Sequence, residues 1–265
     1  MIELLCCVNC KLAECPLWNA PEGRLYFTDI ENCCLWRCDP ASGKAEKFYQ
    51  GESKIGGFAF NRDGSLILCA ENHVLKLFQN GETETLFCMD FPAGERFNDI
   101  TTDPWGRIYA GTMNYGLFLF ENGREPLKLL EKVNCSNGMA FSLDEKTFYH
   151  TTTKDFLINS YEYDQANGSI SNKKEFFNSS ATKEWPDGLT IDNEGCLWSA
   201  FWSGGVKRIS LAGRVIDEFV VPAEHPTSVI FGGANMDELF ITTAADGIFR
   251  MRTVYNGRLE WLADF

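Results

Sequence analysis

Four oxygen-bearing side chains, Glu14, Asn98, Asn137 and Asp187, fall at one register of a strand that recurs along this chain. Aligning the copies on Leu17, Ala59, Thr101, Ala140, Thr190 and Val229 places them three residues before the anchor, with Gly56 and Pro226 in the other two copies. Two carboxylates brought together repel, and one must keep its proton unless a cation lies between them. Carboxylate and amide oxygens are the donors a hard divalent cation such as Ca²⁺ prefers, and no His or Cys at this register favours zinc. Water would complete such a sphere and leave positions open to a ligand. Arg96 stands two residues before Asn98, where its fork could take a ligand hydroxyl or carboxylate, or equally pair with Glu95 or Asp99 at the surface. Asn137-Gly138 and Asp187-Gly188 also fit hairpin turns. That reading accounts for neither Glu14 nor the common register.

The elements that must position these residues are short strands. The repeated unit is an apolar strand, a turn rich in Asp, Asn, Glu or Gly, and an aromatic-rich strand, starting at Pro16, Gly57, Asp99, Gly138, Gly188 and Ser228. A spacing of roughly 40 to 50 residues is the period of a propeller blade. Each copy runs on into a further strand-like segment, such as HVLKLFQNG or GVKRISLAG, and a fourth often follows. No helical periodicity persists, and a β-sandwich would not repeat a four-strand unit six times. The expectation is an all-β fold, a six-bladed β-propeller of four-stranded blades around a central channel, formed by residues 1–265 as a single domain. First strands line the channel, so the register above becomes a ring at one depth. The opening MIELLCCV is expected to pair beside the closing GRLEWLADF in the last blade and hide both edges.

Composition narrows the partners. A formal net charge of −13 repels phosphate backbones, so nucleic acid is excluded as a natural partner. No apolar run reaches the roughly 20 residues of a membrane span, and the N-terminal stretch lacks the basic region of a signal peptide. A cytoplasmic location is the default expectation, with a monomer or weak dimer. The eleven cysteines are odd in number and lack a secreted context, which argues for small buried apolar groups over a disulfide framework. Cys7 and Cys10 have zinc-ligand spacing, but no second pair or nearby histidine completes a site. His73, His150 and His225 are scattered and there is no G-x-S-x-G elbow, so a serine nucleophile is not supported.

At these residues the chain resembles the senescence marker protein (regucalcin)/gluconolactonase/luciferin-regenerating enzyme family. The resemblance is carried by LAECPLW at 12–18, GRLYFTDI at 23–30, RFNDITTDPWGRIYAGTM at 96–113, SNGMAFSLDEKTFYH at 136–150, WPDGLTIDNEGCLWSAFWSGG at 185–205 and PTSVIFGG at 226–233. It implies a six-bladed propeller, one channel metal (Ca²⁺ foremost, with Zn²⁺, Mn²⁺ or Mg²⁺ accepted) and hydrolysis of sugar lactones. By position it implies Glu14, Asn137 and Asp187 as metal ligands, Arg96 and Asn98 as substrate contacts, and Asp187 as the acid that assists water attack. Three departures stand out. Cys15 replaces a usual glycine and is expected to crowd the site. Asn114-Tyr115-Gly116 runs straight into the next strand without the glutamate of many animal relatives, which leaves Asn114 and Tyr115 at a more open channel mouth. Thr152 replaces a usual aspartate near the metal.

The expected chemistry is opening of a cyclic ester, with the cation polarising the carbonyl and Asp187 assisting water. Two alternatives stay open: a non-enzymatic metal- or ligand-binding propeller, and an esterase or organophosphate hydrolase on the same metal. Trp185, Trp202 and Tyr115 at the channel rim would favour an aromatic substrate, whereas Trp198 reads as packing between blades.

Overall fold

Aromatic and β-branched residues dominate both faces of the repeated strands, so each sheet has to bury itself between two others. The computed structural model describes residues 1–265, in six four-stranded antiparallel sheets. The inner strands are Ala13–Asn19, Ile55–Phe60, Phe97–Thr102, Ser136–Phe141, Pro186–Ile191 and Pro226–Gly232. They contact one another in that order and close a ring around a channel, the six-bladed propeller that the repeat predicts. No helix is long and apolar enough to cross a membrane.

The turn between the first and second strands of a blade follows one rule. The backbone N–H of Gly64, Gly106, Glu145 and Gly195 bonds the carbonyl three residues earlier, at Asn61, Asp103, Ser142 and Asp192. The closing residue has φ between 56° and 85°, which glycine adopts freely. In two blades the opening aspartate also anchors the interior. Asp103 Oδ2 receives Arg107 Nε at 2.6 Å, and Asp192 Oδ2 receives Arg208 Nε at 2.7 Å, with both aspartates fully buried. Charges so far from water persist only when paired and hydrogen-bonded in this way.

Between blades the filling is aromatic. Trp198 packs there as expected, stacked on Phe219 at 5.3 Å and edge-on to Phe231 of the next blade at 5.4 Å. Cys6, Cys10, Cys15, Cys34, Cys38, Cys69, Cys135 and Cys196 are buried and unpaired, in keeping with their use as small apolar groups.

Ring closure departs from expectation in one respect. Glu3–Cys6 does become the outer strand of the sixth blade, antiparallel to Ile248–Arg252. The segment GRLEWLADF does not join it. That blade already has its four strands, so the chain turns beneath the ring: Gly257 bridges to Asp192, Trp261 meets Phe141 edge-on at 5.6 Å, and Ala263 pairs with Asn61. Ala263 N–H donates to Phe60 O at 2.8 Å and Arg62 N–H to Ala263 O at 2.9 Å. This strap ties nonadjacent blades together and stops the lower end of the channel with Glu260 and Trp261.

Candidate functional site in the channel mouth

All six inner strands carry a one-residue bulge at the same depth. The pairing register slips between Glu14 and Leu17, Ile55 and Gly57, Phe97 and Ile100, Ser136 and Met139, Pro186 and Leu189, and Pro226 and Ser228. A bulge bends the strand and re-aims its side chains. At this level Glu14, Asn98, Asn137 and Asp187 all line one cavity of about 220 Å³ at the mouth opposite the strap. Asn137-Gly138 and Asp187-Gly188 are therefore strand residues and not hairpin turns. The glycines have another purpose. A Cβ on Gly138 would collide with the backbone of Asp187, Gly188 and Leu189, and one on Gly188 with Ser228, so both permit close approach of neighbouring inner strands.

A directed chain of hydrogen bonds runs through the ring. Arg96 Nη1 donates to Asn98 Oδ1 at 2.8 Å, and Asn98 Nδ2 donates to Asn137 Oδ1 at 3.0 Å and to Ser136 O at 2.8 Å. Asn137 Nδ2 donates to Thr153 Oγ1 at 2.9 Å, and that hydroxyl donates to Pro186 O at 2.7 Å. Arg96 can only donate and the Pro186 carbonyl can only accept, so the sense of every link between them, including both amide orientations, is set. Arg96 also donates to Phe97 O at 2.8 Å and pairs with neither Glu95 nor Asp99. Glu95 instead accepts the Asn114 backbone N–H at 2.8 Å.

The two carboxylates are left over. Glu14 Oε2 and Asp187 Oδ1 are buried with no hydrogen-bond partner, in residues only 7% and 4% exposed. Burial raises the Glu14 carboxyl well above its ordinary value, and the Asp187 and Asp99 charges add to the shift. Asp187 is likewise raised, by burial first and then by Asp99, while hydrogen bonds from the Asn137 amide and the Gly188 N–H oppose the rise. Asp99, one residue past the ring, is pushed up to about 7 by burial. The chain has no cluster of three or more His, Cys, Asp or Glu for a metal, so any cation here would rest on two carboxylates plus amide oxygen. The donor set fits that role: two unpartnered carboxyl oxygens belong to residues that line one cavity, and Asn137 Oδ1, which accepts one bond, keeps a lone pair.

A pH dependence follows. Carboxyls with raised folded-state values favour the protonated form, so their contribution to stability is full below about 4 and is lost as pH rises through the folded-state values, about 7 for Asp99. Chelator-treated protein is expected to melt at a higher temperature at pH 5 than at pH 8, and added Ca²⁺ to raise the melting temperature more at pH 8. Melting at pH 8 that ignores the cation would contradict the fit.

Other positions differ from expectation. Cys15 does not crowd the mouth. Its φ of 46° turns the side chain down the channel, where the sulfur receives Phe58 N–H at 3.5 Å and lines the small lower cavity. Asn114 is exposed, and Tyr115 lies on the outer side of its blade against Phe91 and Phe118, with Lys128 Nζ 3.7 Å above its ring. Met113 takes their place in the cavity lining. Thr152 points away and accepts from Asn159, while Thr153, one residue on, faces the site. The strand ends at Thr152 and Thr153 opens a 3₁₀ turn, and that change in the backbone's course separates the two threonines. Sequence reasoning missed Thr153, Met113 and Lys154 as cavity residues. Trp185 and Trp202 do line the mouth, and Trp202 is stacked on His225 at 4.4 Å. His150 is buried beside Ser136, whose Oγ lies 2.7 Å from Nε2, and burial lowers its imidazole to about 3, so it adds no charge to the site.

Fold and site together describe a six-bladed propeller with an oxygen-donor pocket in its channel. The chain belongs to the SMP-30/gluconolactonase/LRE-like family, whose model matches residues 12–245. It is 34% identical to a pentonolactonase of Haloferax volcanii over 97% of this chain and 96% of that protein. It is also 34% identical to a 6-deoxy-6-sulfogluconolactonase of Pseudomonas putida, over 93% and 89%. Among solved structures, regucalcin of Agrobacterium tumefaciens, described as a calcium-binding protein, superposes with a TM-score of 0.92 at 22% identity, covering 99% of this chain and 97% of that one.

Proposed function

We propose that the protein hydrolyses sugar lactones in the channel-mouth cavity with the help of a bound divalent cation. The observation that carries this reading is the pair of buried, unpartnered carboxylate oxygens of Glu14 and Asp187, set among amide and guanidinium donors in one cavity. Membership of the family and the lactonase names of relatives at 34% identity support the same chemistry.

Glu14, Asn137 and Asp187 would hold the cation, with Ca²⁺ suited to an all-oxygen donor set and Zn²⁺, Mn²⁺ or Mg²⁺ as substitutes. When bound, such an ion acts as a Lewis acid toward a carbonyl oxygen. Asp187 takes the proton from the attacking water. It lines the cavity and carries a buried oxygen, Oδ1, with no hydrogen-bond partner, which is available to accept that proton. Asn98 is committed through both ends of its amide and thus presents a fixed polar edge to the substrate's hydroxyls. Arg96 keeps donor N–H groups free for the same use. Trp185 and Trp202 supply flat apolar walls against which the C–H face of a sugar ring can lie.

The test is turnover of a panel of aldonolactones, aryl esters and phosphotriesters by metal-stripped protein, with each of the four cations added back. Cation-restored opening of lactones is expected to exceed the other reactions. Hydrolysis confined to aryl esters or phosphotriesters would move the substrate class. Tight cation binding with no turnover on any of them would make the protein a binding scaffold.

A further inference from the structure

A fourth charged side chain lines the cavity and has no part in the chemistry above. Lys154 lies in the short 3₁₀ turn Thr153–Asp155 beside Trp185 and Trp202. Its backbone is fixed: Lys154 N–H donates to Asn134 O at 3.2 Å, and the preceding Thr153 is tied to Asn137 and Pro186. Its ammonium is exposed and has no protein partner. The adjacent Asp155 is taken by Asn134 Nδ2 at 2.6 Å, and the only acids lining the cavity are Glu14 and Asp187.

The charge balance then points outward. A divalent cation neutralises the two carboxylates and leaves Arg96 and Lys154 uncompensated, in a protein whose formal net charge is −13. An unpaired lysine at the rim of a partly desolvated cavity is a point donor for an anion. The amide relay and Arg96 serve the depth of the cavity, so the anion met by Lys154 belongs to the outer end of the ligand.

We propose that Lys154 is a specificity residue, and that the preferred substrate is a sugar lactone bearing a negatively charged substituent, such as a carboxylate or sulfonate, at the end of its carbon chain. This rests on the lactone-hydrolase reading for the reaction, but recognition of the anion can be measured without turnover.

Binding of D-gluconate and D-glucarate, which differ by a terminal carboxylate, is measured by calorimetry on calcium-loaded protein. Glucarate is expected to bind about tenfold more tightly, as one charge-assisted contact would give. The preference should vanish in Lys154→Gln, persist in Lys154→Arg and shrink with added KCl. Gluconate affinity should stay within about twofold throughout. A sulfonate in place of the terminal carboxylate should behave like the carboxylate. With lactone substrates, the same variant should raise KM about tenfold for the anionic lactone alone, with kcat unchanged. Equal binding of the two acids, no binding of glucarate, or a preference that survives Lys154→Gln overturns the proposal. Retained preference for glucarate with no lactone hydrolysed would instead overturn the lactonase reading and leave the anion site standing.

Discussion

Asp187→Asn is expected to lower kcat for lactone opening by about a thousandfold, within the range a positioned general base supplies. The substitution keeps the shape of the side chain and removes the charge and the basic lone pair. Asp187 Oδ1 is an unpartnered buried oxygen on a residue that lines the cavity. Cation affinity should fall as well, which is why kcat is measured at saturating Ca²⁺, with KM expected to change by no more than a few-fold. Thermal melting of the variant reports whether the fold is kept, and removal of one buried carboxylate from a repelling pair should not lower it. A kcat within tenfold of the parent at saturating cation would remove Asp187 from the reaction.

The largest effect on stability is expected far from the cavity, at Asp192→Ala. This fully buried carboxylate accepts Trp198 Nε1 at 2.9 Å, Arg208 Nε at 2.7 Å and the backbone N–H groups of Glu194 and Cys196 at 3.0 and 2.9 Å. Its residue also bridges to Gly257 of the strap. Truncation strands the indole N–H and two backbone donors and leaves Arg208, itself 3% exposed, with only Glu194 and a distant Asp217. Breaking a buried pair on one side costs about 3–5 kcal/mol. For a chain of this size the melting temperature should fall by roughly 10 °C. Denaturant titration that gives less than about 1 kcal/mol would show that Glu194 and Asp217 take over the arginine.

The two residues belong to different levels of legibility. Asp187 stands out in the chain because the repeat repeats: once Leu17, Thr101, Ala140 and Thr190 are aligned, the oxygen-bearing positions line up without coordinates. Asp192 appears in the sequence as one more turn aspartate. That it reaches Trp198 and Arg208 depends on where the second and third strands pass behind the turn.

By itself the sequence determined the blade, its sixfold recurrence and the depth at which Glu14, Asn98, Asn137 and Asp187 meet. Those follow from apolar alternation and turn residues within some fifteen positions, and a ring carries local register into space. The tertiary structure decided what depends on contacts between blades. It showed that Gly138 and Gly188 exist for close packing, that a bulge in every inner strand aims the ring, and that Cys15 turns down the channel. It chose Thr153 over Thr152, since the strand ends between them and Thr153 opens a 3₁₀ turn. It sent GRLEWLADF beneath the ring because the N-terminal strand already fills the last blade. It also set Lys154 unpaired beside the cavity, through a turn held by Asn134 and Asn137 and by Pro186 of the next blade.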